Sequence, residues 1–98
     1  MNMQAMMKQA QKLQKDMMET QKKIDAMTFE GKSSLVTVTM NGKKELLSVH
    51  IDAEDLDKDD IEMLQDMIMV AMNDAMKQID KVVEEKMGAY TKGMPGLF

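Results

Sequence analysis

The sequence contains no cysteine, no tryptophan and no arginine, and it has one histidine, one tyrosine and one proline. Without cysteine, a disulfide framework and thiolate zinc sites are excluded. The single histidine, His50, has no second histidine with which to share a metal, and catalytic roles require constellations of such groups. We therefore predict no catalytic residue, metal site, cofactor or small-molecule substrate, and we expect a protein that is not an enzyme.

Long apolar runs are also missing. The opening MNMQAMMKQAQKLQK interleaves Gln and Lys with apolar residues, so it has no uninterrupted block of signal-peptide or membrane-spanning length. We expect a cytoplasmic protein without a membrane partner.

Methionine is what the sequence has in abundance. Fifteen of the 98 residues are Met, and hydrophobic residues make up 44% of the chain although only 3% is aromatic. This length fits one small domain, which buries a smaller share of its surface than a larger domain does. The apolar excess therefore indicates a partner chain as well as a core, and Met side chains adapt to irregular gaps in either.

The first 27 residues have the pattern of a long helix packed along its length. Apolar or small residues recur at alternating steps of three and four, as in a heptad seam: Met3, Met6, Ala10, Leu13, Met17, Thr20, Ile24 and Met27. With Met3 at position a, Lys8, Lys15 and Lys22 fall at position f, opposite the seam, and Lys12 falls beside them at c. The spacing predicts a helix from Met3 to Met27 with a lysine stripe facing away from the seam.

Three short strands are expected next. Thr28-Phe29-Glu30 could form a strand before Gly31-Lys32-Ser33-Ser34 breaks the pattern, and residues 35–40 are β-branched and alternating. Asn41-Gly42 then predicts a two-residue hairpin turn of type I′. That turn would pair Met40 with Lys43, Val38 with Glu45 and Val36 with Leu47. It would place Val49 and Ile51 on the face of Val36 and point Leu46 the other way, unless a bulge changes the register.

A second helix is predicted from about Lys58 to Met87 by apolar residues at steps of three or four. Asp57 is a reasonable N-cap, and Asp59, Asp60 and Glu62 would stabilise the positive end of the helix dipole. The same acidic residues partly match a calcium loop, but Asp60 occupies the position that needs Gly, so we reject that site. Gly88 is expected to end the helix, and residues 88–98 to form a flexible Gly/Pro tail.

One segment of this helix is apolar on every side, which predicts burial on two sides. A small sheet and one other helix can hardly cover both, so we infer a homodimer with the segment at or near its interface. The predicted interface residues are Met67, Ile68, Met69, Val70, Ala71 and Met72.

Charge is distributed unevenly. Residues 1–27 carry five lysines against three acids, whereas residues 51–87 carry four lysines against twelve acids. The first helix is thus the basic part of a protein whose net charge is −4. Its lysines could be solvated helix surface, or they could contact a phosphate backbone. Without Arg, which usually reads guanine edges, any sequence specificity should be modest.

Several motifs occur in a specific order along the chain: the opening MKQAQKLQ, the hairpin VTVTMNGK, the tetrapeptide VHID and the helical MLQDMIMVAMNDA, with EKM and MPG near the end. Together they resemble the YbaB/EbfC family of bacterial nucleoid-associated proteins over nearly the whole chain. The chain departs from the family pattern in having no Arg and a short tail with few glycines.

The resemblance implies an α+β protomer in the order α-β-β-β-α, residues 1–98 forming one domain. It has a long N-terminal helix, a small antiparallel sheet and a long second helix, and it assembles into a tweezer-like homodimer. The implied function is binding of double-stranded DNA in the nucleoid and alteration of its conformation.

Lys8 and Lys12 match the family's basic positions, while Lys15 and Lys22 join them through the heptad phase. Asn73 and Asp74 match an Asn-Asp-Ala pattern for which we expect a structural role. An alternative is a protein-interaction module whose Met-rich groove holds a partner helix without direct DNA binding.

Overall fold

The computed structural model describes residues 2–92, and the side chains of residues 91 and 92 lie outside that description. Five elements follow one another: α1 (Met3–Ala26), β1 (Thr28–Ser33), β2 (Val36–Asn41), β3 (Leu46–Ile51) and α2 (Asp60–Lys92). The strands form one antiparallel sheet in the order β1-β2-β3. This order confirms the predicted α-β-β-β-α protomer. Among the described residues, neither helix is long and apolar enough to cross a membrane.

The core lies between one face of the sheet and α2. Val36, Val38 and Met40 of β2 alternate with half-buried residues, so the β-branched run buries one face. Ala71, Ala75 and Ile79 of α2 pack against that face. The small alanines bring the helix close to the sheet, and α2 contacts β1 and β2 but has no comparable contact with β3.

Gly31 explains why β1 is longer than predicted. The sequence suggested that Gly31 would break the strand, yet β1 continues through Ser33. A Cβ at Gly31 would lie 1.9 Å from the Ala71 carbonyl oxygen. The glycine is therefore a point of close approach to α2 within the strand, and Gly often has this role in sheets.

The predicted hairpin register is wrong. The observed pairs are Val36 with Ile51, Val38 with Val49 and Met40 with Leu46, with an irregularity between Thr39 and Met40. Val49 and Ile51 do share the face of Val36, as expected, but Leu46 joins that face instead of pointing away. The bulge adds one unpaired residue, Leu47, to β3, so Leu46 lies on the same face of the sheet as Val49 and Ile51, the face that packs against α2.

The turn itself differs from type I′, because neither Asn41 nor Gly42 has a φ in the left-handed region. The left-handed residue is Lys44, at φ 65°. Asn41 acts through its side chain: its Oδ1 accepts hydrogen bonds from the backbone N–H of Lys43 (2.9 Å) and Glu45 (3.1 Å). Gly42 is needed for space, since a Cβ there would lie 1.8 Å from the Ile24 carbonyl oxygen at the end of α1.

The bounds of α2 also differ from expectation. The helix begins at Asp60, not Lys58, and the Asp60 carboxylate accepts from the backbone N–H of Asp57, three residues earlier, at 3.0 Å. It runs through Gly88 to Lys92. Part of the segment expected to be a flexible tail is thus helical, and its remainder, residues 93–98, lies outside the described residues.

Helix pairing explains the continuation past Gly88. The hydroxyl groups of Thr20 on α1 and Tyr90 on α2 are 3.1 Å apart, and Ile24 and Met87 are both buried. These tertiary contacts offset the roughly 1 kcal/mol by which Gly disfavours a helix interior.

Candidate nucleic-acid interface

The N-terminal part of α1 extends away from the rest of the protein. Ile24 is the only buried residue of this helix, and from residue 3 to residue 15 every side chain but that of Leu13 is exposed. We call residues 3–15 the arm. The principal extents are 71 × 21 × 14 Å and the radius of gyration is 19.6 Å. A compact domain of this length would have a radius of gyration of about 13 Å.

The four lysines predicted to bind DNA are all exposed on α1. Lys8, Lys12 and Lys15 lie on the arm, and Lys22 follows two turns later. At 1.5 Å per residue, Lys8 and Lys22 are about 21 Å apart along the axis, the rise of about six base pairs. No ion pair joins any of these lysines to another described residue; the pairs found there are Lys32 with Glu30 and Lys44 with Asp80. The lysine row is thus free to contact phosphates.

The six predicted interface residues of α2 differ in how far they are buried within their own protomer. Ala71 is fully buried against the sheet of its own protomer, so it cannot contribute surface to a partner. Met67, Ile68 and Met72 are half-buried beside the core. Met69 and Val70 are the exposed members, at 61% and 55%.

Sequence reasoning missed a larger apolar surface. Because α2 covers only β1 and β2, the inner side of β3 is left open, with Leu46 44% and Val49 43% exposed. Once the bulge is known, cross-strand pairing places both residues beside Met40 and Val38. The two-residue turn expected from the sequence would place Leu46 on the opposite face, so the sequence did not predict this surface.

His50, Asp74 and Asn73 are the other polar residues that the sequence singled out. His50 is exposed on β3, and among residues 2–92 no three His, Asp or Glu side chains gather where they could hold a metal ion. Asp74 has the expected structural role, because its Oδ2 accepts from the backbone N–H of Lys32 at 3.1 Å and so ties α2 to β1. The neighbouring Asn73 is exposed.

Comparisons with known proteins identify the family of the chain. A nucleoid-associated protein of Lactococcus lactis subsp. cremoris is 54% identical over 97 residues, covering 97% of this chain and 98% of its own. Nucleoid-associated proteins of Ligilactobacillus salivarius and Enterococcus faecalis are 46% and 43% identical, covering 99% and 97% of this chain and 95% and 93% of their own lengths. The profile of the YbaB/EbfC DNA-binding family matches residues 1–94. The chain therefore belongs to the YbaB/EbfC DNA-binding family.

Proposed function

We propose that the protein binds the backbone of double-stranded DNA as a homodimer, with little sequence preference, and alters DNA conformation in the nucleoid. The observation that carries this proposal is the row of exposed lysines on α1. Lysines held along one side of a projecting helix can displace counterions from successive phosphates. Phosphate contacts position a protein on the duplex without reading its sequence, and the chain has no Arg for bidentate readout of guanine.

The open apolar surface beside β3 supports the homodimer. Leu46 and Val49 on β3 are 44% and 43% exposed and lie on the side of the sheet that α2 leaves uncovered at this strand. β3 is also an edge strand, whose unpaired backbone groups favour pairing with another strand. A second copy covering this surface would present two arms and double the number of lysines available to one duplex. Two arms bound to one duplex could also bend it.

The test is binding to a random-sequence duplex, followed by fluorescence anisotropy across a salt series, with the oligomeric state measured by sedimentation in the same buffers. The logarithm of the affinity should fall linearly with the logarithm of the salt concentration, and the slope counts the phosphates engaged. Absence of binding at low salt would refute the proposal.

Charge reversal at Lys8→Glu/Lys12→Glu tests the arm. A dimer of this variant loses four lysines, so the slope should decrease by about 3 to 4 and the affinity at about 0.1 M salt should fall at least about 100-fold. Lys77→Glu/Lys81→Glu is the matched control, because it reverses two exposed lysines at the same spacing on α2. An equal loss in both variants would show that net charge, and not the arm, determines binding.

The same open surface favours a second candidate, a module that binds an apolar partner helix. Sedimentation separates the two, since a chain that is monomeric at micromolar concentration leaves this surface for a different protein. A dimer that does not bind DNA would also leave partner binding as the function to pursue.

A further inference from the structure

The two ends of the molecule carry opposite charge. The arm has three lysines and no acidic residue, whereas residues 52–66 have eight carboxylates and one lysine. The ends are also far apart. α1 ends beside Gly42 at one end of the sheet, and α2 begins near Ser33 at the other. In a protomer 71 Å long, the arm cannot reach the acidic end of its own chain.

The acidic end contains a groove between the start of α2 and the end of β1. Its apolar floor is formed by Met63, Met67 and Val70, and Ser33 lines it from β1. Three exposed carboxylates line the same groove: Asp59, Glu62 and Asp66. None of them forms an ion pair with another described residue. The groove thus combines exposed apolar surface with a row of negative charge, and this charged row would suit the basic face of a helix.

The spacing of the two charged rows is complementary. Lys8, Lys12 and Lys15 follow one another at steps of four and three. Read in the reverse direction, Asp66, Glu62 and Asp59 also follow at steps of four and three. A helix packed antiparallel to the start of α2 would bring Lys8 opposite Asp66 and Lys12 opposite Glu62, with Lys15 near Asp59 in the turn just before α2, each row being about 10 Å long. Met3 and Met6, 76% and 51% exposed, lie on the seam side of the arm, opposite its lysines, so the charged rows make the contact with the groove.

We propose that the arm of one molecule docks antiparallel in the acidic groove of another molecule. Because the two surfaces differ and lie at opposite ends, the contact is head-to-tail and extends beyond a two-fold dimer. The same lysines cannot contact the groove and DNA together, so self-association and DNA binding compete. This competition rests on the proposed function, whereas the docking itself does not.

Sedimentation velocity of the full chain tests the docking. At about 50 mM salt we expect concentration-dependent species larger than the dimer, which dissociate at about 300 mM salt or when a short duplex is added. Glu62→Lys/Asp66→Lys places like charges opposite each other and should weaken this association about tenfold or more, while DNA binding is retained or strengthened. Glu84→Lys/Glu85→Lys, which makes the same charge change at exposed positions near the other end of α2, should leave the association unchanged.

Charge exchange provides the decisive variant. Lys8→Glu/Lys12→Glu should lose both self-association and DNA binding. Combining it with Glu62→Lys/Asp66→Lys should restore self-association without restoring binding through the arm. Circular dichroism establishes that each variant is folded, and Glu62→Gln/Asp66→Asn substitutes for the reversed groove if that variant does not fold.

The outcomes separate the two proposals. If the exchanged charges restore self-association while the wild-type chain does not bind DNA even at low salt, the docking is supported and the proposed function is refuted. The docking is overturned if the wild-type chain shows nothing beyond a dimer at low salt. It is also overturned if folded groove variants associate as the wild-type chain does, or if the exchange fails to restore association.

Discussion

At the scale of single residues, the approach of α2 to the sheet depends on Gly31. A side chain there would meet backbone atoms, with a Cβ 1.9 Å from the Ala71 carbonyl oxygen and 2.7 Å from the Ala75 nitrogen. Helix and strand would have to separate to admit even one methyl group. The alanines of α2 are small for the same reason.

Gly31→Ala should lower the free energy of unfolding by about 2 to 3 kcal/mol, because overpacking against backbone cannot be relieved by a side-chain rotation. Urea unfolding at one fixed protein concentration measures the loss. Gly88→Ala is the matched control: its Cβ would meet no atom within 4 Å, and Ala is favoured over Gly in a helix by about 1 kcal/mol. Equal unfolding midpoints for Gly31→Ala and the wild-type chain would contradict the close approach.

Asn41 holds the hairpin turn by side-chain hydrogen bonds. Its Oδ1 accepts from two backbone N–H groups, and its Nδ2 donates to the Glu45 carboxylate at 2.9 Å. Asn41→Ala should reduce the free energy of unfolding by about 1 to 2 kcal/mol, since each such bond contributes about 1 kcal/mol. The comparison is Lys43→Ala, which removes an exposed side chain from the same turn. If the two variants unfold at the same urea concentration, the side chain of Asn41 does not stabilise the turn.

At the scale of elements, the sequence predicted the features that follow from the pattern of neighbouring residues. The alternation of Val36 and Val38 identified β2 and its buried face, and the seam of α1 gave that helix to within a residue of its end. Thr28 was recognised as the start of a strand. The four lysines are exposed as predicted, but the seam expected to pack along the helix is itself exposed at Met3 and Met6, and only Ile24 near the end of α1 is buried.

What the sequence did not predict depends on contacts between distant residues. Asn41-Gly42 is typical of a type I′ turn, but here Gly42 makes room for the end of α1 and Lys44 has the positive φ. Gly88 resembled a helix end until the pairing of α1 with α2 was known. The acidic row at the start of α2 was explained by helix capping alone, although its reversed four-and-three spacing relative to the arm lies in the sequence.

At the scale of the whole molecule, shape and charge act together. An elongated protomer separates a basic arm from an acidic groove, so a protein with a net charge of −4 can still present positive charge to a polyanion. Separation beyond about 8 Å screens one exposed end from the other at physiological salt. The arms can therefore act locally, and their number per particle depends on how protomers assemble.

Val49→Lys tests that assembly. Val49 is 43% exposed on the open inner side of β3, so a lysine there can reach solvent in a single protomer, whereas a covering second copy would desolvate its charge. We expect the variant to sediment as a monomer. Because each protomer has one arm, the monomer should contact half as many phosphates, and the slope of log affinity against log salt should be halved. Ser48→Lys adds the same charge on the opposite face of β3 and should keep both the dimer and the slope. A Val49→Lys protein that remains dimeric would exclude this surface from the interface and direct attention to the exposed Met69 and Val70 of α2.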